Sequence, residues 1–378
     1  MVIIDYIEQI PDPRMSGKVK HTLGSIIFTA LCGVLSGCES WEDIRSYTKE
    51  KQTWLNQFVT FKNGVPSEWT YRRVFTLLSP DHMEHFLKSF AKHILQAHQA
   101  TPDHIAIDGK TVCGSKDRDG FALHSLTAFC HEYGLVIGEE SVQERSNEST
   151  AIPLLLEGLD IKKATVSIDA GGCHKHIAQM IREKGGNYVL GLKRNHPKLF
   201  NVVQTIIKEV GENNTNRLHD AFEKKNGRTV RRRYFGFDIA ALPESKAWTD
   251  LKSVIAVESI ASKDNDPLRR VTATWRYYIS NHHHLNDKLP GYIRNHWGIE
   301  NKLHWVLDVQ MHEDDDQKME KKSARSFALL KRIAINIVNT KKIALQEIAT
   351  KTKKPSLRSM MKRAGWNNDW LLSLLDHL

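Results

Sequence analysis

The chain has 378 residues, 40% hydrophobic and 26% charged, a composition that excludes a disordered chain and leaves room for two or three domains. No apolar run approaches the roughly 18 residues that a membrane span needs, the start MVIIDYIEQIPDPR lacks signal-peptide organisation, and the five Cys form no CxxC pair, so a reducing, cytoplasmic setting is expected. A formal net charge of +10 favours polyanionic partners, because Lys and Arg gain free energy by releasing counterions condensed on phosphates.

Residues 1–98 read as a helical N-terminal domain with a possible role in DNA binding. HTLGSIIFTALCGVLSG is an apolar helix ending in glycine. SWEDIRSYTKEKQTWLNQF opens on Ser40 as N-cap, with acids in its first turn. A further helix starts at Pro66 or Ser67 and stops before Pro80, and DHMEHFLKSFAKHILQAH has helical periodicity. The two middle helices, joined through KNGVPS, suit a helix-turn-helix-like unit exposing Arg72 and Arg73, or a plain helical bundle.

Residues 99–340 change pattern. HIAID, FALHSLTAF and LVIGEES read as strands, the last two joined by a turn at HEYG. STAIPLLLEGLD is a short helix with Ser149 as candidate cap. ATVSIDA is a buried strand, HKHIAQMIREKGG a helix closed by glycine, and NYVLGL another strand. Three antiparallel strands followed by crossover units predict an α/β fold, a mixed sheet flanked by helices. Polar breaks at 211–216 and 262–267 mark a β-rich insertion of about 211–282, built from TVRRRYFGFDI, SVIAVESI and TATWRYYIS. IRNHWGIENKLHWVLDVQMHEDD reads as one helix and its exit, SARSFALLKRIAINIVN as an apolar helix, and 341–378 as a small helical tail.

Asp108 ends the first strand and Asp169 the fourth, each before a small residue at the sheet rim where ligands bind. The fourth strand is expected to pair with the first, making the two carboxylates neighbours whose repulsion a divalent cation would relieve. Oxygen ligands suit Mg²⁺ or Mn²⁺. Glu300 supplies a third ligand from the late helix, where His296 and His304 share its face at four-residue spacing. Trp297 and Trp305 flank it, as stacking surfaces or as core anchors. Three acids around two cations suit phosphoryl transfer, one metal activating a water or 3′-hydroxyl and the other stabilising the leaving oxygen. Lys110, Arg145, Ser146, Asn147, Lys193, Arg194 and Asn195 are candidates for holding phosphates or a DNA end. Cys173, His174 and His176 have zinc-like identities but open a helix, and His282–His284 reads as loop.

The stretches AIDGKTV, ERSNESTAIPLLLEGLDI, SIDAGGCHKHIAQMI, NYVLGLKRNHPKL and above all IRNHWGIENKLHWVLDVQMHEDD resemble the DDE transposases of bacterial insertion sequences, in the ISAs-type group with the H-repeat-associated proteins. The resemblance covers nearly the whole chain. It implies a ribonuclease-H-like catalytic core with a β-rich insertion, a helical N-terminal domain, and a catalytic, metal-binding triad of Asp108, Asp169 and Glu300. It further implies double-stranded DNA as partner, at terminal inverted repeats and target, with a homodimer on DNA in the nucleoid. The wider group carries a Tyr, Arg and Lys around its catalytic Glu; here Ile293, His296 and Leu307 stand at those places. His296, Asn301 and His304 are therefore assigned to positioning or DNA-backbone contact, and Trp297 is a further DNA-binding candidate. A silent DNA-binding remnant and a nuclease of the same fold are the rival functions.

Overall fold

The computed structural model describes residues 1–116, 122–142, 147–210, 216–225, 228–262, 272–315, 320–348 and 355–376. Among these the chain opens with helices α1 (Val2–Glu8), α2 (Leu23–Leu35), α3 (Trp41–Glu50), α4 (Gln52–Leu55), α5 (Glu68–Leu77) and α6 (Pro80–Ala97). Strands β1 (His104–Val112), β2 (Leu123–Cys130) and β3 (Leu135–Ser141) follow. Next come α7 (Glu148–Glu157), β4 (Thr165–Ile168), α8 (Lys175–Glu183), β5 (Asn187–Leu192) and α9 (Pro197–Val210). The insertion supplies β6 (Arg217–Lys225), β7 (Arg228–Asp238), β8 (Ser253–Ser262) and β9 (Thr272–Ser280). Helices α10 (Leu289–His296), α11 (Trp305–Gln310), α12 (Lys321–Ile348), α13 (Leu357–Trp366) and α14 (Asn368–Leu375) complete the chain. The strands join one mixed sheet in the order β3-β2-β1-β4-β5-β9-β8-β7-β6.

Local signals account for many boundaries. Ser40 and Asp43 form a reciprocal capping box on α3, Ser67 caps α5, and Pro80 occupies the first turn of α6. The turn at HEYG places Gly134 at φ +64, a conformation in which a Cβ would be strained. Other expectations change. Asn147, not Ser149, holds the N-cap position of α7; Ser149 lies inside the helix and donates 2.5 Å to Asn147 Oδ1. The stretch opened by Ser40 divides into α3 and α4 at Lys51. Between α3 and α5 the chain therefore carries α4 and a further loop, too long for the tight turn of a helix-turn-helix. Strand β6 was not anticipated, because RLHDAFEKK is mostly polar. The polar break at 262–267 falls almost wholly outside the described residues.

The helix expected from 293 onward is interrupted. A π-helical turn, Glu300–His304, separates α10 from α11. A π-turn carries one more residue per turn than α geometry, so four-residue spacing no longer aligns side chains there. Exposure differs accordingly: His296 is buried, Glu300 exposed and His304 half-buried.

The chain divides into two compact units. The first comprises Met1–Thr101, Gly109–Ser146 and Ile299–Leu378. Its axis is α12, whose apolar face meets α2, α5, α6 and β3. Trp41 and Phe327 pack edge-to-face with centroids 4.8 Å apart, and Phe75 closes the cluster. Asn336 on α12 accepts from Val136 N–H and donates to its carbonyl, both at 2.8 Å, satisfying backbone groups of β3.

A buried ionic network crosses this unit. Arg332 of α12, fully buried, donates to the carboxylates of Glu139 on β3 and Glu313, each 1% exposed. Lys110 Nζ lies 2.6 Å from Asp308 on α11, 3.3 Å from Asp314 and 3.7 Å from Glu313. Asp314 also accepts from the backbone N–H of Cys113 at 3.1 Å. Burial works to raise Glu313, but Arg332, Lys331 and Lys110 together hold it below the ordinary carboxylate range.

The second unit comprises Pro102–Asp108 and Asn147–Gly298. β1, β4 and β5 run parallel, with Ile107 beside Ile168 and Ile168 beside Leu190. β9 joins β5 antiparallel, and β8, β7 and β6 follow antiparallel. The insertion thus extends the sheet. Val189 of β5, with Tyr234, Ile255, Val257 and Tyr278 of the insertion, packs against Leu289, Tyr292 and Ile293 of α10. Two forked bonds from Arg294 to Glu223, 2.7 and 2.9 Å, tie the same helix to β6.

Removing Arg332 leaves two buried carboxylates without their cation. Arg332→Met is expected to destabilise the first unit by about 3–5 kcal/mol, read as an earlier transition in differential scanning calorimetry. An unchanged transition would show that the network contributes nothing.

His131 and His304 are each pushed down to about 4, first by burial; Lys302 adds at His131, and Arg332 and Lys110 at His304. Both folded values are lowered, so the neutral rings stabilise the fold above the unfolded value of about 6.5. That contribution is lost as the pH falls toward 4. The melting temperature is expected to drop over this window, and more shallowly in His304→Gln.

Candidate active site

The parallel register of β1 and β4 determines the site. His104 through Ile107 pair with Thr165 through Ile168, so the next residues, Asp108 and Asp169, follow the paired segment at the same level. Asp169 directly follows β4, but Asp108 lies within β1, which runs on to Val112 instead of ending at the aspartate as the sequence suggested. Each is preceded by a buried isoleucine and is itself half-buried. Asp169 turns directly into a short 3₁₀ segment, Ala170–Gly172. Its Oδ1 accepts from Gly171 N at 2.8 Å and Gly172 N at 3.4 Å, which fixes the carboxylate's orientation. Glycine is required nearby on two counts. A Cβ at Gly172 would lie 2.4 Å from Ile168 Cγ2, and one at Gly191 on β5 would lie 2.9 Å from the Ala170 backbone nitrogen.

Glu148, at the start of α7, was not anticipated. Its Oε2 and Asp169 Oδ1 lie 3.3 and 3.1 Å from the point a Gly171 Cβ would occupy, so the two carboxylates are close neighbours. The sequence signal was the acid in ERSNEST, which reads equally as an ordinary first-turn helix residue.

Beside Asp169 opens a cleft of about 470 Å³. Its walls combine Lys193, Arg194 and Arg276 with Phe200, Trp275, Tyr277, Tyr278 and Trp297. The Arg276 guanidinium lies 4.6 Å over the Trp297 ring, and Trp297 Nε1 donates to Tyr278 Oη at 3.2 Å. Phe200 and Tyr277 meet edge-on at 5.4 Å. Cations with aromatic faces beside a strand-end carboxylate suit a polyanion carrying planar bases. Trp275, Arg276 and Tyr278 lie in a stretch already read as a strand; only the packing of α10 shows that they share a wall with Trp297.

The remaining candidates separate by burial. Lys193 and Arg194 are exposed at the cleft, whereas Asn195 bridges two loops, donating to Ala170 O at 3.0 Å and accepting from Lys193 N at 3.3 Å. Asn195 therefore holds the rim in shape. His296 is 3% exposed, with Nδ1 3.0 Å from Ser167 Oγ, which lies 2.8 Å from His104 Nε2. Burial pushes His296 down to about 4 despite the opposing charge of Asp169, so at neutral pH it is an uncharged link under the rim, unsuited to neutralising DNA backbone. Lys110 is likewise removed from DNA contact: it is 7% exposed and its charge is engaged by Asp308, Glu313 and Asp314. Asn147 is exposed at the start of α7, while Arg145 and Ser146 lie outside the described residues. Glu300 and Asn301 are exposed, as is Trp305, by 50%. Cys173 is buried and its thiol pushed up by that burial, and His174 bonds the Gly171 carbonyl at 3.1 Å. Among the described residues no group of three or more His, Cys, Asp or Glu is arranged to hold a metal ion.

Comparison with known proteins gives the family. Residues 99–337 match the family described as Transposase DDE domain, and residues 4–91 the family described as DDE_Tnp_1-associated. The H repeat-associated putative transposase YhhI of Escherichia coli K12 is 36% identical over 99% of this chain and 97% of its own length. The putative transposase YncI of Escherichia coli O157:H7 is 35% identical over 94% and 92%. A solved piggyBac transposase synaptic complex with hairpin DNA aligns at TM-score 0.45 and 12% identity, covering all of this chain and 80% of that one, a likeness too weak to bear on fold or function. The full-length kinship and the matched catalytic domain place the chain in the DDE transposase family.

Proposed function

We propose that this transposase binds the terminal inverted repeats of its own insertion sequence and carries out metal-dependent cleavage and strand transfer, using Asp108, Asp169 and Glu300 on a ribonuclease-H-like core. The observation that carries the reading is the register of β1 on β4, which sets Asp108 level with Asp169 where the parallel pairing of the two strands ends. The strand order β3-β2-β1-β4-β5 supports the proposed core. Glu300 is assigned on the IRNHWGIEN motif.

The donors fit a hard divalent cation. Asp108 and Asp169 are half-buried oxygen donors, and the backbone bonds of Asp169 orient it without adding a competing cation. Asp108, Asp169 and Glu300 would hold Mg²⁺ or Mn²⁺, two per site. When bound, such ions supply charge neutralisation and Lewis acidity to a phosphodiester. The protein's own part is positional. Asn195 and the Asp169 turn keep the rim rigid, Lys193, Arg194 and Arg276 attract phosphate, and Trp297, braced by Tyr278, offers a stacking face. Two element ends call for two active sites, so a homodimer on DNA is part of the proposal. The neighbouring DNA contacts are Lys193, Arg194, Trp297 and Asn301.

A supercoiled plasmid carrying the gene's native flanks tests this. With Mg²⁺ or Mn²⁺, cuts at the flank ends and joined products are expected, and Asp169→Ala should lower both by at least about 100-fold. Full activity in Asp169→Ala, or activity indifferent to chelator, would sink the mechanism. Free ends without joining would make the protein a nuclease instead. Trp297→Ala is expected to weaken binding of a pre-cut, frayed DNA end by about 1–3 kcal/mol, measured by fluorescence anisotropy, with little change in the melting temperature.

A further inference from the structure

We propose that a basic, partly apolar groove in the N-terminal helices grips duplex DNA. The inference rests on the reading of DNA as substrate and adds a second, separate contact surface. The groove, about 540 Å³, lies between the segment around Arg14–His21 and α5, with Arg14, Lys20, His21, Trp69 and Arg73 among its walls. No carboxylate lines it among the described residues.

Three observations favour a polyanion. First, Lys20 and Arg73 are exposed, and neither pairs with a carboxylate among the described residues. Arg14 is held by a forked bond to Asp12, 2.8 and 2.7 Å, so it braces the segment instead. Second, Trp69 is 70% exposed and Met15 76%, exposures a folded chain does not need for its core. The Arg72 guanidinium lies 5.1 Å over the Trp69 ring, and its contact with Glu68 is a looser 3.6 Å. Third, the His21 ring is pushed below its ordinary value by burial and then by Arg14 and Lys20, which marks a positive local potential.

The groove is also preformed. Asn63 Nδ2 donates to Lys20 O at 2.6 Å, anchoring the segment, and Ser67 caps α5. A regularly charged duplex backbone matches two unpaired cations flanking an exposed aromatic surface. This surface is a different device from a helix-turn-helix, because it uses the flank of α5 and a preceding loop.

The test is anisotropy of a fluorescein-labelled duplex from the gene's flank, titrated with the full-length protein at several salt concentrations. The Lys20→Glu, Arg73→Glu double variant is expected to lose about 10-fold or more in affinity and to lower the magnitude of the salt slope by about 2. Trp69→Ala should weaken binding and leave the salt slope in place. Circular dichroism checks folding, and Lys20→Gln with Arg73→Gln replaces the double variant should it misfold. Wild-type affinity and slope in the folded variants would overturn the proposal and assign the groove to a protein partner. Failure of the wild type itself to bind any duplex would overturn the DNA reading as a whole.

Discussion

The hydrogen-bond register between β1 and β4 is the constraint on which the candidate site depends. Parallel strands fix their residues side by side, so pairing Ile107 with Ile168 leaves the following aspartates no choice but to be neighbours. A slip of one residue would send one carboxylate to the opposite face, because side chains alternate along a strand. The buried isoleucines oppose that slip. Gly172 and Gly191 complete the constraint by letting the Asp169 turn sit against Ile168 and β5, where any side chain would collide.

Charge is used in two distinct ways. Buried cations are closed on carboxylates: Arg332 on Glu139 and Glu313, and Lys110 on the half-exposed Asp308 and Asp314. Those groups tie together elements of the first unit. Lys193, Arg194 and Arg276 at the Asp169 cleft and Lys20 and Arg73 in the N-terminal groove are instead left open to solvent, and aromatic faces accompany both sets. The net charge of +10 is therefore not a uniform coat. A polyanion would meet cations that have already lost little solvation to internal partners, and so keeps most of the gain from counterion release.

The β-rich insertion contributes more than length. Because β9 pairs with β5, the strand that carries Gly191 under the Asp169 turn also carries the insertion on its other edge. Trp275, Arg276 and Tyr278 are brought to the cleft by this pairing, and α10 is locked onto the same strands by Leu289, Tyr292 and Ile293. Rigid strands on both sides suit a site whose work is positioning.

Much of this was legible before folding. Helix caps at Ser40 and Ser67, the apolar strand runs that lead into Asp108 and Asp169, and the order of three strands then crossovers follow from local chemistry: capping needs a side-chain oxygen, and buried parallel strands need apolar runs. That the first strand continues past Asp108 to Val112 was not legible. What the sequence could not decide was which charges are spent internally. Lys110 next to Asp108 reads as a phosphate contact until Asp308, Glu313 and Asp314, some two hundred residues later, are seen to hold it. His296 reads as a positioning residue or a DNA-backbone contact, and burial beside Ser167 favours the first. The acids after the HWGIEN motif likewise take their meaning from Lys110 and Arg332. Local sequence determines backbone preference and polarity. Solvation and pairing depend on partners distant in sequence, and only the tertiary structure supplies those.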